Sequence, residues 1–249
     1  MKTMAVLQTI LRSVGGLVYP YACAACRQLL TDDRAEWCPS CTAQLLEATA
    51  SSRCPRCAGR AEPYQIKPEG CPSCRGQATP LDGVACVGSY KGILGQLVRF
   101  YKYNRRQELD RPLGRLLAAV VTGAPWCGQI DALVPVPASL FERLRYRFWP
   151  VGLLAREVGR QLDLDRVPVL SVRGKKVRQV DLALSDRAAN VRGVFRLRPG
   201  ARVSGTRLCL IDDVMTSGAT LREAARGLKK AGAVAVYAAV LVRAGKGEG

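Results

Sequence analysis

The chain has 249 residues, 48% of them apolar, enough for one large domain or two smaller ones with a hydrophobic core. Its formal net charge is +18, and 29 of its 38 basic side chains are arginine, which suits bidentate contact with phosphate and carboxylate. The absence of histidine excludes imidazole acid–base catalysis, Ser-His-Asp triads and histidine-ligated zinc, and no apolar run reaches the roughly 18 residues of a membrane span. A charge so far from zero points to polyanionic partners, either nucleic acid or phosphorylated ligands.

The opening, MKTMAVLQTILRSVGGLVYP, reads as a short amphipathic helix of a cytoplasmic protein. An arginine interrupts its apolar stretch and cysteine pairs follow at once, unlike a signal peptide. Eight of the eleven cysteines then fall in four Cys-x-x-Cys pairs: Cys23 and Cys26, Cys38 and Cys41, Cys54 and Cys57, Cys71 and Cys74. The pairs are separated by 11, 12 and 13 residues. Two intervening residues let both thiolates of a pair face one ion, and two pairs complete a tetrahedral site. About two structural Zn²⁺ are expected. The simplest pairing joins the first two pairs and the last two; an interleaved pairing is equally open to the spacing. Disulfides need an oxidising compartment, which nothing else in the sequence indicates. Iron–sulfur ligation shares the ligand type, but even pairs favour zinc. Proline and glycine gather between the last two pairs (Gly59, Pro63, Pro68 and Gly70), and metal is expected to supply much of the segment's folding free energy. Cys86 and Cys209, in apolar runs, read as small buried hydrophobes.

Residues 1–80 are therefore expected to form a zinc-binding module, with the Thr79–Gly83 turn as boundary and 81–249 as a second domain. The charge excess lies mostly in the second part, with 29 basic and 14 acidic side chains against nine and six in the first. Strands are predicted at Val84–Tyr90, Ile130–Pro137, residues 167–170, Arg207–Asp212 and Val234–Val242. Helices are predicted at Ile93–Tyr103, Leu109–Val121, Pro150–Leu162 and Ala219–Ala231, the last closed by Gly232. A long basic segment runs from Arg173 to Phe195. The alternation argues for an α/β fold with a mostly parallel sheet and a ligand site at the carboxyl ends of its strands.

One stretch carries the chemistry. LCLIDDVMTSGAT, Leu208 to Thr220, joins an apolar strand, two adjacent acids, a hydroxyl-rich turn and a helix start. Free N–H groups at a helix start cradle phosphate, hydroxyls add donors, and Gly218 permits the tight turn. The carboxylates of Asp212 and Asp213 suit adjacent sugar hydroxyls or a metal. An ordinary turn cap plus a helix N-cap is the simpler reading, but the combination is too specific for it. The stretch is neither a P-loop nor a dinucleotide-binding turn.

This stretch resembles the 5-phosphoribosyl-1-pyrophosphate (PRPP) binding motif of type I phosphoribosyltransferases. The whole layout, from about Tyr19 to Val242, resembles the ComF/ComFC family of competence for DNA uptake, which pairs a cysteine zinc finger with a phosphoribosyltransferase-like domain. Lys102 and Tyr103 match the end of the family's L-I-x-x-x-K-Y segment. Gln179, Leu182, Arg187, Asn190, Val191 and Phe195 fit its Q-x-x-L…R-x-x-N-V-x-x-x-F pattern. Arg143, Arg145, Arg147 and Phe148 match its basic loop loosely. Trp149 and Pro150 stand where Asn-Gln is usual, Arg147 where glycine is, and Ser217 where a second threonine is.

The resemblance implies a type I phosphoribosyltransferase-like sheet preceded by a small zinc-binding module. It implies that Asp212 and Asp213 hold the ribose hydroxyls as the catalytic pair, with Asp213 as a base. PRPP binding is implied for Asp212, Asp213, Val214, Thr216, Ser217, Gly218, Ala219 and Thr220, with the loop on the 5′-phosphate and Mg²⁺ on PRPP oxygens. Lys102, Arg143, Arg145 and Arg187 become contacts for pyrophosphate or a polyanion. Two functions follow: phosphoribosyl transfer to an acceptor with release of pyrophosphate, or a non-catalytic factor that binds single-stranded DNA or a competence helicase on the same scaffold.

Overall fold

The computed structural model describes residues 21–33, 35–138, 148–172 and 193–245. The expected N-terminal helix and most of the basic segment after Arg173 lie outside the described residues.

Two compact units emerge, residues 1–47 and 48–249. The expected division at residue 80 differs, because the second cysteine group belongs to the larger unit. The Pro55 carbonyl accepts the Val84 N–H at 2.7 Å, and Asp82 N–H donates to the Val236 carbonyl at 2.9 Å. The 79–83 turn is thus tied into the sheet and separates nothing. The smaller unit holds the first cysteine group and most of helix α1 (Pro39–Thr49).

The larger unit is built on a four-stranded parallel sheet in the order β1 (Gly83–Ser89), β6 (Ala235–Arg243), β5 (Arg207–Met215), β2 (Ala132–Pro135). Its strands read as continuous apolar runs because helices cover the sheet. Eight of the nine β6 residues are buried. Helices α2 (Gly92–Tyr103) and α3 (Asp110–Thr122) pack on β1 and β6; α4 (Pro150–Leu162) packs on β2 and β5; α5 (Ala219–Lys230) packs on β5 and β6. Among the described residues no helix is long and apolar enough to cross a membrane.

Two carboxylates set the register at the strand starts. Asp82 Oδ2 accepts the Val236 N–H at 2.7 Å and pairs with Lys229 at 2.7 Å. Asp131 Oδ2 accepts the Arg207 N–H at 2.6 Å. The strand expected at 167–170 starts later. Pro168 has no N–H to donate, so β3 begins at Leu170 (Leu170–Val172) and pairs antiparallel with β4 (Phe195–Leu197), outside the main sheet.

Helix α4 is held at both ends. At its start the Tyr101 hydroxyl donates to the Pro150 carbonyl at 2.8 Å, and Phe148 meets the Tyr101 ring edge-on, centroids 5.6 Å apart. Trp149 lies over Gly152, where a Cβ would come within 2.4 Å of the indole. Nearer its other end, Glu157 is buried against Gly114 of α3, where a Cβ would come within 2.5 Å of the Glu157 side chain. Its carboxylate takes bonds from Arg160 at 2.7 Å and Gln161 at 2.8 Å. The Arg160 hydrogen bond outweighs burial and holds the Glu157 carboxyl below its ordinary value of 4.5. The stability this contributes is present at neutral pH and is lost as pH falls through the lowered folded-state value. Glu157→Gln should therefore destabilise the protein by about 1 kcal/mol at pH 7, Arg160 being half-exposed and screened. In denaturant titrations across pH the difference should shrink to nothing well below the usual glutamate range.

Candidate ligand site and cysteine centres

Strand β2 stops at Pro135, paired to Ile211, and Val136 N–H makes its last bond to the Ile211 carbonyl at 2.9 Å. Strand β5 runs on to Met215, still in register with β6 up to Arg243. Asp212 and Asp213 therefore lie within β5, not at its end as the sequence suggested. The long β6 partner extends the ladder past them. Strand alternation buries Asp213 with Ile211 and Met215, leaving Asp212 and Val214 half-buried.

Asp213 N–H donates to Asp212 Oδ1 at 2.9 Å on the edge that β2 has vacated. Asp213 is 5% exposed, and Lys102 Nζ in the last turn of α2 meets its Oδ1 at 2.7 Å. A buried carboxylate needs such a partner. Beyond Met215 the chain turns through Thr216, Ser217 and Gly218, with Gly218 at φ +73° as the residue before α5. A Cβ there would come within 2.6 Å of Met215 Cε and 3.1 Å of an Arg222 guanidinium nitrogen, both flexible side-chain ends, so it is the left-handed φ that demands glycine. Ser217 Oγ accepts the Ala219 N–H at 3.4 Å. The first helical bond is Arg222 N–H to the Gly218 carbonyl at 2.9 Å. The Thr220 and Leu221 N–H groups precede it and have no acceptor among the described residues. Thr216, Ser217 and Thr220, half-buried, bring hydroxyls to the same turn and helix start. The arrangement presents donors to an anion beside two carboxylates that accept from hydroxyls.

The structure thus gathers Asp212, Asp213, Val214, the 216–220 loop and Lys102 into one place. Arg143, Arg145 and Arg187 lie outside the described residues, as do Arg147, Gln179, Leu182, Asn190 and Val191. Trp149 and Pro150, which depart from the family pattern, serve the docking of α4. Sequence reasoning passed over Arg222 and Arg243. Burial, then the charges of Arg226 and Arg243, hold the Arg222 guanidinium below its ordinary value. Arg222 stands four residues after Gly218, a helical neighbour spacing that the sequence does display.

The eight paired cysteines form two groups, Cys23, Cys26, Cys38 and Cys41 in one and Cys54, Cys57, Cys71 and Cys74 in the other. Sequential pairing is what the fold adopts; the interleaved alternative is not. Within each group the sulfurs lie within 4.8 Å of one another. Measured separations are 3.7 Å for Cys26–Cys38, Cys54–Cys74 and Cys57–Cys71, and 3.8 Å for Cys71–Cys74. Four sulfurs about 2.3 Å from a tetrahedral ion sit about 3.8 Å apart, whereas a disulfide would bring two within about 2.05 Å. Each group can hold one metal ion.

The leading hairpins are built alike. Cys23 and Cys54 donate N–H to the carbonyls of Gln28 and Gly59, at 2.8 and 2.9 Å. Arg27 and Ala58, at φ +65° and +56°, return N–H bonds to the carbonyls of Cys23 and Cys54. Cys38 N–H reaches Cys23 Sγ at 3.3 Å, and Gly59 N–H reaches Cys57 Sγ at 3.4 Å. Burial raises the Cys23 thiol, but N–H donors from Cys26, Cys38 and Ala25 outweigh it and bring the value down to about 6. The Cys57 thiol brings Cys54 down to about 4 against burial. Each group thus already favours a thiolate.

A family model described as "phosphoribosyl transferase domain" matches residues 152–249. Competence protein F of Haemophilus influenzae is 28% identical over 231 residues, which cover 91% of this chain and 98% of that protein. DNA utilization protein YhgH of Escherichia coli K12 is 30% identical over 229 residues, 89% of each chain. Among solved structures, glutamine PRPP amidotransferase from B. subtilis, complexed with ADP and GMP, shares 20% identity. That superposition covers 57% of this chain and 30% of the other at a TM-score of 0.38, too low to carry an argument. The parallel sheet and the family model make the larger unit an α/β fold of the type I phosphoribosyltransferase kind, and with its cysteine groups the chain belongs to the family of competence protein F and the DNA utilization protein YhgH.

Proposed function

We propose that the protein binds PRPP, or a closely related ribose 5-phosphate, in the cytoplasm, and that it transfers the phosphoribosyl group to an acceptor in the service of DNA uptake or utilization. The observation that carries this reading is the passage of β5 from the Lys102-paired Asp213 straight into the donor-lined loop at the start of α5. The carboxylates of Asp212 and Asp213 accept hydrogen bonds from the ribose hydroxyls. The N–H groups of Thr220 and Leu221 and the hydroxyls of Thr216, Ser217 and Thr220 hold the 5′-phosphate. Lys102 fixes the Asp213 carboxylate, so its surviving role is positioning.

Oxygen donors suit Mg²⁺. With Asp213 Oδ1 already taken by Lys102, the chain would hold that ion chiefly through Asp212 and the phosphates of the ligand. Bound there, Mg²⁺ would neutralise charge on pyrophosphate. In the reaction the C1–oxygen bond breaks, pyrophosphate leaves with the electron pair, and the acceptor's nucleophile bonds C1. The protein's contribution is position and electrostatics. A role for Asp213 as base is weakened by its ion pair. The soft donor set and tetrahedral spacing of both cysteine groups fit Zn²⁺, which would act structurally.

A second reading is a DNA-binding or helicase-docking factor without turnover. The net charge of +18 favours it, and so do the names of the relatives.

Calorimetry with PRPP and Mg²⁺ should show binding by the wild-type protein. Asp212→Asn with Asp213→Asn should lose about 3 kcal/mol, roughly 100-fold; no binding by the wild type would end the PRPP reading. Gly218→Ala should weaken binding about tenfold through its left-handed φ. For single-stranded DNA, affinity should fall linearly on a log–log plot against salt, with a slope near −0.7 per phosphate contact, if the second reading holds. Elemental analysis should find about two zinc ions per chain, and about one in Cys54→Ser with Cys74→Ser.

A further inference from the structure

We propose that the second cysteine group governs the ligand loop through Arg243, a positioning residue that transmits the state of the metal site to Gly218. The proposal rests on the ribose-phosphate reading only for the identity of the ligand.

The hairpin bearing Cys54 and Cys57 is fastened to the carboxyl end of the sheet. Arg53 donates to the Ala58 carbonyl at 2.9 Å and to Ser89 Oγ, at the end of β1, at 2.8 Å. Arg243 donates through its guanidinium to the Cys57 carbonyl. A Cβ on Gly59 would lie 3.9 Å from the same guanidinium carbon, so the arginine rests against the hairpin.

Arg243 is also the last residue of β6, and its backbone is held on both sides. It aligns with Ser89 of β1 and with Met215 of β5. Tyr90 N–H donates to its carbonyl at 2.8 Å, and the next residue, Ala244, donates to the Met215 carbonyl at 2.8 Å. Met215 is the residue whose Cε lies where a Cβ on Gly218 would come. Arg243 further acts by charge on Arg222, whose guanidinium lies over Gly218. One residue therefore joins a metal-ligand hairpin, through its guanidinium, to the residue before the loop, through the backbone of β6, and to the cation above it by charge.

Metal loading matters because the packed interior of this hairpin is mostly its own ligands. Cys54 and Ala58 are fully buried, but the small cluster around them consists mostly of the cysteines themselves. An ion bound by four thiolates fixes the Cys57 carbonyl. Without it the Cys57 carbonyl is a less fixed acceptor for Arg243, whose charge acts on Arg222.

The test uses the full-length, metal-loaded protein and reads amide hydrogen exchange by segment, metal content and PRPP affinity. Arg243→Gln is expected to keep both ions, to speed exchange across residues 215–221 roughly tenfold and to weaken PRPP binding by a similar factor. Residues 110–122 and 150–162 should keep their protection. Arg243→Lys, which keeps the charge and a donor, should restore most of the effect. Cys54→Ser with Cys74→Ser should lose one ion and reproduce the local exchange change. The proposal is overturned by unchanged exchange at 215–221 in Arg243→Gln, by equal acceleration in α3 and α4, or by a lysine variant no better than glutamine. Loss of an ion in Arg243→Gln also overturns it, since the arginine would then be building the metal site instead of transmitting from it. If the wild type binds no PRPP, the ribose-phosphate reading fails while the exchange measurements still decide the coupling.

Discussion

Strand β5 is nine residues long and follows β6 over nearly its whole length, but β2 accompanies it for only four. β2 makes its last bond to β5 at Val136, so one edge of β5 is released while the other stays clamped. Residues 212–215 consequently keep the rigidity of a strand while exposing one side. That combination brings a buried carboxylate within reach of Lys102 and launches the 216–218 turn from a fixed point. Neither a strand paired on both sides nor a free loop would provide both.

Much of this was legible in the sequence because it was local. Unbroken apolar runs marked β1, β5 and β6, and proline and glycine marked the ends of α4 and α5. The four Cys-x-x-Cys pairs were visible in the spacing, and the fold decides that they group sequentially. What remained hidden depended on partners far along the chain. Two adjacent acids look like the end of a strand, and only the length of β6 carries β5 past them. Lys102 looked like a contact for a ligand, and only the fold shows that it reaches Asp213. Trp149 and Pro150 looked like lost substrate contacts, yet they are packing residues, since only the fold brings Tyr101 and Gly152 against them. Arg243 showed no signal at all, because a terminal strand arginine is indistinguishable from an ordinary solvated one.

The two cysteine groups share a local design but not a setting. Near-identical hairpins, with a left-handed residue after the second cysteine, begin both. One is housed with residues 1–47 and the other with the sheet. A metal in the first would tie Cys23 and Cys26 to Cys38 and Cys41 across a short unit. In the second it would stiffen a hairpin that covers part of the edge strand β1, where a bare row of backbone donors would otherwise invite pairing with another chain.

The indole of Trp149 lying over Gly152 has a consequence for how such a sequence drifts over time. The ring fills the volume that any larger residue at 152 would take, so a side chain cannot appear there while the tryptophan remains. Replacing the tryptophan alone would leave a hole beside the start of α4. Positions 149 and 152 are therefore free to vary only as a pair, and a lineage that has adopted this tryptophan returns to a smaller residue only through a compensating change one helical turn away.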